Sequence, residues 1–220
     1  MAPRLITGLD VARVRDNVAA VREEIAAAAR HAGRRPEDVE LLAATKYVPL
    51  EEIGVLAEAG LTLGGENRAQ DLEAKAGAHP EITWDFIGQL QSRKVRQILP
   101  LVRYVHSVAS DSALRELGKH GTPGTRVLLE VNVAEEEGKA GIVPSQLGAF
   151  LERCPVEVVG LMAMPPLARE PEDSRRWFAA VRELAEQHGL RELSMGTTQD
   201  FSVAVQEGAT IVRVGTRLYS

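Results

Sequence analysis

Hydrophobic residues near the start of the chain recur at steps of four and three residues, the spacing of one face of an α-helix. The residues on this face are Val14, Val18, Val21, Ile25 and Ala28. The pattern predicts a long amphipathic helix from Leu9 to Ala32. Gly33 follows it, and glycine tolerates the left-handed backbone conformation that often ends a helix.

After this helix, short apolar runs alternate with helical spacing, which is typical of parallel βα units. Eight runs have the length and composition of strands: Val39 to Ala44, Leu61 to Gly64, Thr83 to Ile87, Val102 to Val108, Arg126 to Val133, Val156 to Met162, Glu192 to Met195 and Thr210 to Val214. Eight parallel strands favour a closed barrel, because they bring the two edges of the sheet together around an interior filled by side chains. We therefore predict one α/β domain over residues 1–220, a (β/α)8 TIM-like barrel with an extra N-terminal helix, residues 1–35, packed on it.

An open, doubly wound sheet is the alternative to the barrel. Sheets of that kind often carry a glycine-rich dinucleotide fingerprint or a P-loop, and the sequence contains neither. The closed barrel is therefore the favoured architecture.

The charge and composition of the chain limit the partners and the cellular location that we expect for the protein. A net charge of -5 disfavours nucleic acid and anionic membranes, because both repel a net-negative chain. The basic cluster of Arg93, Lys94 and Arg96 is more typical of a solvated helix surface than of a nucleic-acid site. Cys154 is the single cysteine, the histidines lack metal-binding spacing, and the first residues lack the apolar core of a signal peptide. We expect a monomeric, metal-free cytoplasmic protein that binds small molecules.

Lys46 is the first candidate for chemistry, because active sites of barrels lie at the carboxyl ends of the strands. It follows the apolar first strand and Thr45 directly. We expect its ammonium group to be partly desolvated at the barrel mouth, which favours the neutral amine that condenses with an aldehyde. A solvated lysine at a strand end fits this position equally well.

Glycine and hydroxyl residues follow the seventh and eighth strands, where barrels commonly bind phosphate. Ser194 lies near the end of the seventh predicted strand and Gly196 and Thr198 follow it, while Gly215 and Thr216 follow the eighth. Glycine lets the backbone approach a ligand, and hydroxyls donate hydrogen bonds to an anion. The two segments together predict a phosphate site, while ordinary turns and helix caps use the same residue types.

Two further side chains are candidates at the mouth. Arg213 lies in the last strand between two valines, so it points into the barrel if those valines pack outward. A pyridine nitrogen or a carboxylate could accept its hydrogen bonds. Asn67 could bind a phenolic oxygen, and Glu66 could pair with Lys46 or Arg213, although each alone also suits a turn.

Motifs spread over nearly the whole chain resemble those of the pyridoxal phosphate homeostasis proteins, which are similar to the N-terminal barrel of alanine racemase. The motifs are Ala44-Thr45-Lys46, Gly65-Glu66-Asn67, Phe86-Ile87-Gly88-Gln89-Leu90-Gln91 with Lys94, His106-Ser107-Val108, Val131-Asn132-Val133, Gly138-Lys139-Ala140-Gly141, Gly160-Leu161-Met162, Leu193-Ser194-Met195-Gly196 with Asp200-Phe201, and Val212-Arg213-Val214-Gly215-Thr216. The resemblance implies pyridoxal 5′-phosphate as the cofactor, held by Lys46 as a Schiff base. It also implies ring contacts from Asn67 and Arg213. The phosphate contacts that it implies come from Ser194, Thr198, Gly215 and Thr216.

The sequence departs from the family pattern at a few positions. Thr197 and Thr198 replace a usual Met and Ser, which keeps a hydroxyl at Thr198. Arg68 stands where an aromatic residue is frequent, and Asp85 where a histidine is frequent. The ending from Arg217 to Ser220 differs from the usual one, and we expect the final barrel helix to be short or absent and the turn around the phosphate to be looser.

Three functions stay open at this point. The favoured one is a protein that carries and buffers pyridoxal phosphate and passes it to apo-enzymes, without racemase activity, because alanine racemases take a second base from a further domain. The second is a pyridoxal-phosphate-dependent amino-acid enzyme with Tyr47, Tyr104 or His106 as that base. The third is an aldolase-like protein in which Lys46 forms a Schiff base with a sugar phosphate.

Overall fold

A computed structural model describes residues 5–220. Eight parallel strands form one closed barrel in chain order, and the last strand pairs with the first. The strands are β1 Glu40–Ala44, β2 Leu63–Glu66, β3 Thr83–Phe86, β4 Tyr104–Val108, β5 Arg126–Val131, β6 Glu157–Ala163, β7 Glu192–Thr197 and β8 Ile211–Val214. The predicted barrel is confirmed.

Helices connect the strands on the outside of the barrel. The α-helices in the described residues are α1 Val11–His31, α2 Ile53–Glu58, α3 Ala69–Ala78, α4 Val95–Ile98, α5 Asp111–His120, α6 Leu147–Arg153, α7 Arg175–Gln187, α8 Phe201–Gln206 and α9 Thr216–Tyr219. Single 3₁₀ turns lie at Pro36–Asp38, Leu50–Glu52, Ser92–Lys94, Leu99–Leu101, Pro144–Gln146 and Pro171–Ser174. No helix in residues 5–220 is long and apolar enough to cross a membrane.

Helix α1 is the predicted N-terminal helix. Asp10 caps it by accepting a hydrogen bond from the Arg13 N–H at 2.9 Å, and Gly33 follows it with a φ of +68°. The predicted apolar face is buried and packs against α2, α8 and α9. Helix α1 therefore covers the outside of the barrel next to the seam between β8 and β1.

The apolar core lies mainly between the strands and the outer helices, and a smaller apolar cluster fills part of the barrel interior. Val212 and Val214 belong to the outer layer. Arg213 between them is buried in the interior, as strand alternation requires. Asp85, His106 and Ser194 are also buried there, so the centre of this barrel is polar.

The final helix is present but short: α9 has four residues and is tied to its surroundings. The Tyr219 hydroxyl donates to the Ala44 carbonyl at 3.1 Å, and Asn17 donates to the Ser220 carbonyl at 2.8 Å. Arg217 forms an ion pair with Glu24 of α1. These contacts hold the turn after β8 against β1 and α1, whereas the sequence led us to expect a looser turn.

Cys154 directly follows α6. Its side chain is half-buried, and burial raises the pKa of its thiol. Its backbone N–H donates to the Leu151 carbonyl at 3.1 Å. The junction between α6 and the strand that follows it therefore contains the one thiol of the sequence.

Candidate functional site

A cavity of about 320 Å³ opens at the carboxyl ends of the strands. This volume is at the lower end of the roughly 300–1,000 Å³ typical of sites for small molecules. Six of the seven predicted site residues line it: Lys46, Asn67, Thr198, Arg213, Gly215 and Thr216. Ile6, Ala44, Tyr47, Ile87, Gly88, Met164, Thr197 and Tyr219 complete the lining.

Lys46 lies in the turn after β1, and its side chain is exposed to solvent. The expected partial desolvation is therefore wrong for this structure. Its ammonium nitrogen lies 5.0 Å from the centre of the Tyr47 ring, a distance compatible with a cation–π contact. Lys46 thus presents an accessible amine at the edge of the cavity.

The backbone just before Lys46 is held by a buried ion pair. Lys75 of α3 pairs with Glu66 and donates to the Thr45 carbonyl at 3.0 Å. The Thr45 hydroxyl donates to the Glu66 carboxylate at 2.7 Å. Glu66 therefore pairs with Lys75, and not with Lys46 or Arg213 as the sequence suggested. The ion pair fixes the turn that carries Lys46.

Asn67 contributes a polar atom that has no partner. Its Oδ1 is buried and makes no hydrogen bond within residues 5–220. The backbone of Asn67 lies so close to Gly88 that any Cβ at residue 88 would overlap it. Ser107 in turn donates a hydrogen bond to the Gly88 carbonyl. An unpaired buried amide oxygen is costly, so it indicates a site that a ligand completes.

Arg213 forms the inner wall of the cavity. Its Nη1 donates to the Ser194 carbonyl and hydroxyl at 2.8 and 2.6 Å, and its Nη2 donates to the Ala163 carbonyl and the Met164 sulfur at 3.0 and 2.9 Å. Burial lowers the pKa of Arg213 to about 10, against the attraction of Glu130 and Asp200, so the group stays charged at neutral pH. Of its five N–H donors, the Nε–H has no partner in the described residues.

Ser194 does not line the cavity. Strand β7 continues to Thr197, so Ser194 lies inside the strand and its side chain is fully buried. Its hydroxyl contacts Arg213 and His106. The predicted direct contact between Ser194 and a phosphate therefore disagrees with this placement. Ser194 instead contacts Arg213, which lines the cavity.

The segments after β7 and β8 meet at one wall of the cavity. The Gly215 N–H donates to the Thr198 hydroxyl oxygen at 3.2 Å. Asp200 shapes the first segment by accepting the Thr197 N–H at 2.8 Å. Gly196 has a φ of +88° and no room for a Cβ beside Ala204. Hydroxyls from both segments can therefore face one bound anion.

The three proposed second bases have different positions. Tyr47 lines the cavity, whereas Tyr104 packs in the inner apolar cluster and His106 is fully buried. Tyr219 also lines the cavity and was missed by the sequence analysis. Burial and the charge of Glu66 raise the pKa of Tyr219, and its hydroxyl donates to the Ala44 carbonyl.

The side chains of this cavity fit a ring that carries an aldehyde and a phosphate. An amine, a guanidinium with a free N–H, an unpaired amide oxygen and three threonine hydroxyls surround a small volume. No cluster of potential metal ligands occurs among residues 5–220. The arrangement suits covalent capture of an anionic aldehyde.

Solved structures share this fold. Alanine racemase from Corynebacterium glutamicum superposes with a TM-score of 0.71 at 14% identity, over 99% of this chain and 63% of that one. The closed barrel therefore places this chain among α/β barrel proteins with the fold of alanine racemase. At this identity the likeness concerns the fold alone.

Sequence relatives identify the family. A pyridoxal phosphate homeostasis protein from Aquifex aeolicus is 39% identical over 219 residues, which covers 93% of this chain and 96% of the relative. PipY from Synechococcus elongatus, solved with pyridoxal phosphate bound, has a TM-score of 0.76 at 31% identity, over 94% of this chain and all of that one. No family model matches the chain. The chain belongs to the family of pyridoxal phosphate homeostasis proteins.

Proposed function

We propose that this chain binds pyridoxal 5′-phosphate at the mouth of its barrel and takes part in the intracellular homeostasis of that cofactor. The observation that carries the proposal is the meeting of Lys46, Asn67, Arg213 and the two hydroxyl segments around one cavity. Relatives named for this homeostasis, and the PipY structure with the cofactor bound, support it.

Each residue has a role that follows from its position. Pyridoxal phosphate, when bound, supplies an aldehyde that condenses with a primary amine and releases water. Lys46 presents that amine. Arg213 keeps its Nε–H for an acceptor such as a ring nitrogen. The Asn67 Oδ1 accepts a hydrogen bond from the phenolic hydroxyl. Thr198 and the Gly215–Thr216 segment bind the phosphate.

The proposed protein buffers the cofactor and does not racemise amino acids. A two-base reaction needs a second proton carrier at the cavity. Tyr219 is engaged with the Ala44 carbonyl and has a raised pKa, and His106 is sealed in the interior. An uncharged ring nitrogen beside the charged Arg213 also weakens the ring as an electron sink. Tyr47 is the one proposed base that reaches the cavity.

Borohydride reduction of the purified protein after incubation with pyridoxal phosphate, followed by peptide mass mapping, tests the assignment. We expect the pyridoxyl label on Lys46 and its loss in Lys46→Ala. Lys139→Ala is the matched control, because Lys139 lies in the loop after β5 and pairs with Glu136. Label on another lysine in the wild-type protein contradicts the assignment. A protein that takes up no cofactor points instead to the aldolase-like alternative with a sugar phosphate.

Incubation with L-alanine and other amino acids in D₂O tests the absence of an amino-acid reaction. We expect no deuterium at Cα and no D-amino acid. Rapid exchange that disappears in Tyr47→Phe would establish the enzyme alternative, with Tyr47 as the base.

Transfer to apo-enzymes, a cytoplasmic location and a monomeric state complete the proposal. The negative net charge and the single-barrel architecture support them. Light scattering on the loaded protein measures its mass. Recovery of activity by a pyridoxal-phosphate-requiring apo-enzyme, with free cofactor removed by a scavenging phosphatase, measures transfer. The mass of a dimer would contradict the monomeric state. Apo-enzyme activity no higher than in the control with phosphatase and without this protein would contradict transfer.

A further inference from the structure

A line of buried polar side chains crosses the barrel interior below the cavity. Arg103, next to the amino end of β4, binds the Asp85 carboxylate through Nε and Nη2 at 3.1 and 2.7 Å. Asp85 contacts His106 Nε2 at 3.0 Å, and His106 Nδ1 contacts the Ser194 hydroxyl at 2.8 Å. Ser194 accepts from Arg213 at 2.6 Å. Asp85, His106 and Ser194 have no exposed surface.

The protons in this line have one consistent arrangement. A guanidinium only donates, so one lone pair of the Ser194 oxygen accepts from Arg213. Beside an ionised Asp85, Nδ1 of a neutral His106 ring is the acceptor for the Ser194 proton. The proton of a neutral ring then lies on Nε2 and is donated to Asp85. Burial alone would raise the pKa of Asp85, but hydrogen bonds from His106 and Arg103 outweigh burial and hold it below its ordinary value. Asp85 is therefore an ionised acceptor.

We infer that Asp85, His106 and Ser194 form a directional hydrogen-bond relay that positions the Arg213 guanidinium at the cofactor site. This inference rests on the proposed function and adds three positioning residues that do not touch the cavity. The relay orients the Ser194 hydroxyl so that its lone pair faces Arg213. Without that orientation, Arg213 loses one of the four acceptors that hold it.

The relay works only with a neutral His106. The charged groups that face His106 are Asp85 from β3, Arg103 from the start of β4 and Arg213 from β8. Ser194 from β7 is its uncharged hydrogen-bond partner, and the Tyr104 ring of β4 lies 6.3 Å from the imidazole ring. A charged imidazole would stand between two guanidinium groups, and it would leave the Ser194 proton without its acceptor. Burial lowers the pKa of His106 despite Asp85, which agrees with the neutral form.

The tautomer can be tested without any cofactor. ¹⁵N NMR of histidine-labelled protein should show His106 as the Nε2–H form at pH 6.5. In Asp85→Asn the amide can donate to Nε2, so we expect the Nδ1–H form. Asp16→Asn, an exposed acid on α1, is the control and should change nothing. An Nδ1–H or charged His106 in the wild-type protein overturns the inference.

Two variants of equal shape test the effect on the site. Ser194→Thr adds one methyl group and keeps the hydroxyl. Ser194→Val has the same shape as the Thr variant but carries a second methyl group in place of the hydroxyl, so only the Val variant breaks the relay. We expect Ser194→Val to bind pyridoxal phosphate about tenfold more weakly than Ser194→Thr, the effect of one hydrogen bond to a charged group. We also expect a shifted visible absorption band in the loaded Val variant. Equal affinities and equal spectra for the two Ser194 variants would overturn the inference. If borohydride reduction does not label Lys46 in the wild-type protein, the proposed function is rejected, but the NMR test of the relay is unaffected.

Discussion

Thr198 joins the two segments that form the proposed phosphate site, and this gives a prediction for a single residue. Thr198→Val removes the oxygen that accepts the Gly215 N–H and a hydroxyl that faces the cavity. We expect the affinity for pyridoxal phosphate to fall about tenfold and the affinity for pyridoxal, which has no phosphate, to change little. Absorbance titrations with both ligands measure this. Equal losses for the two ligands would contradict a phosphate role, and Thr125→Val in an exposed turn is the control.

Gly88 gives a second prediction, because its lack of a side chain lets Asn67 approach. A Cβ in Gly88→Ala overlaps the backbone of Asn67, so the loop after β2 must move. We expect weaker cofactor binding and a lower unfolding temperature. Gly77→Ala in α3 has nothing within 4 Å of the new Cβ, so it should bind normally and be slightly more stable. Normal cofactor affinity in Gly88→Ala would show that Asn67 does not contribute.

The positions of Lys46 and of the buried Arg213 were predictable from the sequence, whereas the buried Glu66–Lys75 pair was not. Lys46 and Arg213 follow from the positions of the apolar runs around them. Ser194 lay inside the predicted seventh strand, but its phosphate role was wrong to expect from that position, because its side chain is fully buried and β7 continues to Thr197. Glu66 and Lys75 resemble ordinary surface charges, and only the closed fold brings them together in a buried pair.

At the scale of elements, the periodicity predicted every strand, and the observed boundaries lie within about two residues of most predictions. Alternation between strands and helices is a local property, so it is visible in the chain. The helices were less predictable, because α2, α4, α6, α8 and α9 have only four to seven residues. Such helices are stabilised by packing on the barrel and not by their own sequence.

The contact between α3 and the ends of β1 and β2 depends on the Glu66–Lys75 pair. Lys75→Met leaves the Glu66 carboxylate buried without a cation, and we expect a loss of about 3–5 kcal/mol in the free energy of unfolding. Adding Glu66→Gln should recover part of this loss. Urea unfolding of both single variants and the double variant measures the coupling.

An exposed ion pair is the control for this double-mutant cycle. Lys119 and Glu116 lie on the surface of α5, and Lys119→Met should cost less than about 1 kcal/mol. Strictly additive losses in the Glu66–Lys75 cycle would mean that the two side chains do not stabilise each other.

The whole molecule should lose stability in acid because of the polar interior. The pKa of His106 is lowered, so below about pH 6.5 the unfolded chain takes up a proton that the folded chain does not, and stability falls. The pKa of Asp85 is lowered as well. The contribution of Asp85 to the free energy of unfolding is therefore complete above its pKa in the unfolded chain, about 3.9. This contribution is lost as the pH falls through the pKa of Asp85 in the folded protein.

Urea unfolding at pH 7.5, 5.5 and 4 measures this dependence. We expect a decline that begins below pH 6.5 and steepens near pH 4. His188→Gln alters an exposed histidine and should leave the curve unchanged. A stability that stays constant from pH 7.5 to 4 would contradict the buried, neutral state of His106.

The half-buried Cys154 has a practical consequence for measuring the motions of this barrel. Its thiol is the single one in 220 residues and is shielded at the junction between α6 and β6. Thiolate is the reactive species, so both its raised pKa and its burial slow alkylation in the folded state. The rate of labelling by a maleimide or iodoacetamide therefore reports how often this junction opens. The native Cys154 thiol can therefore measure the rate of local unfolding at this junction, and no engineered cysteine is needed.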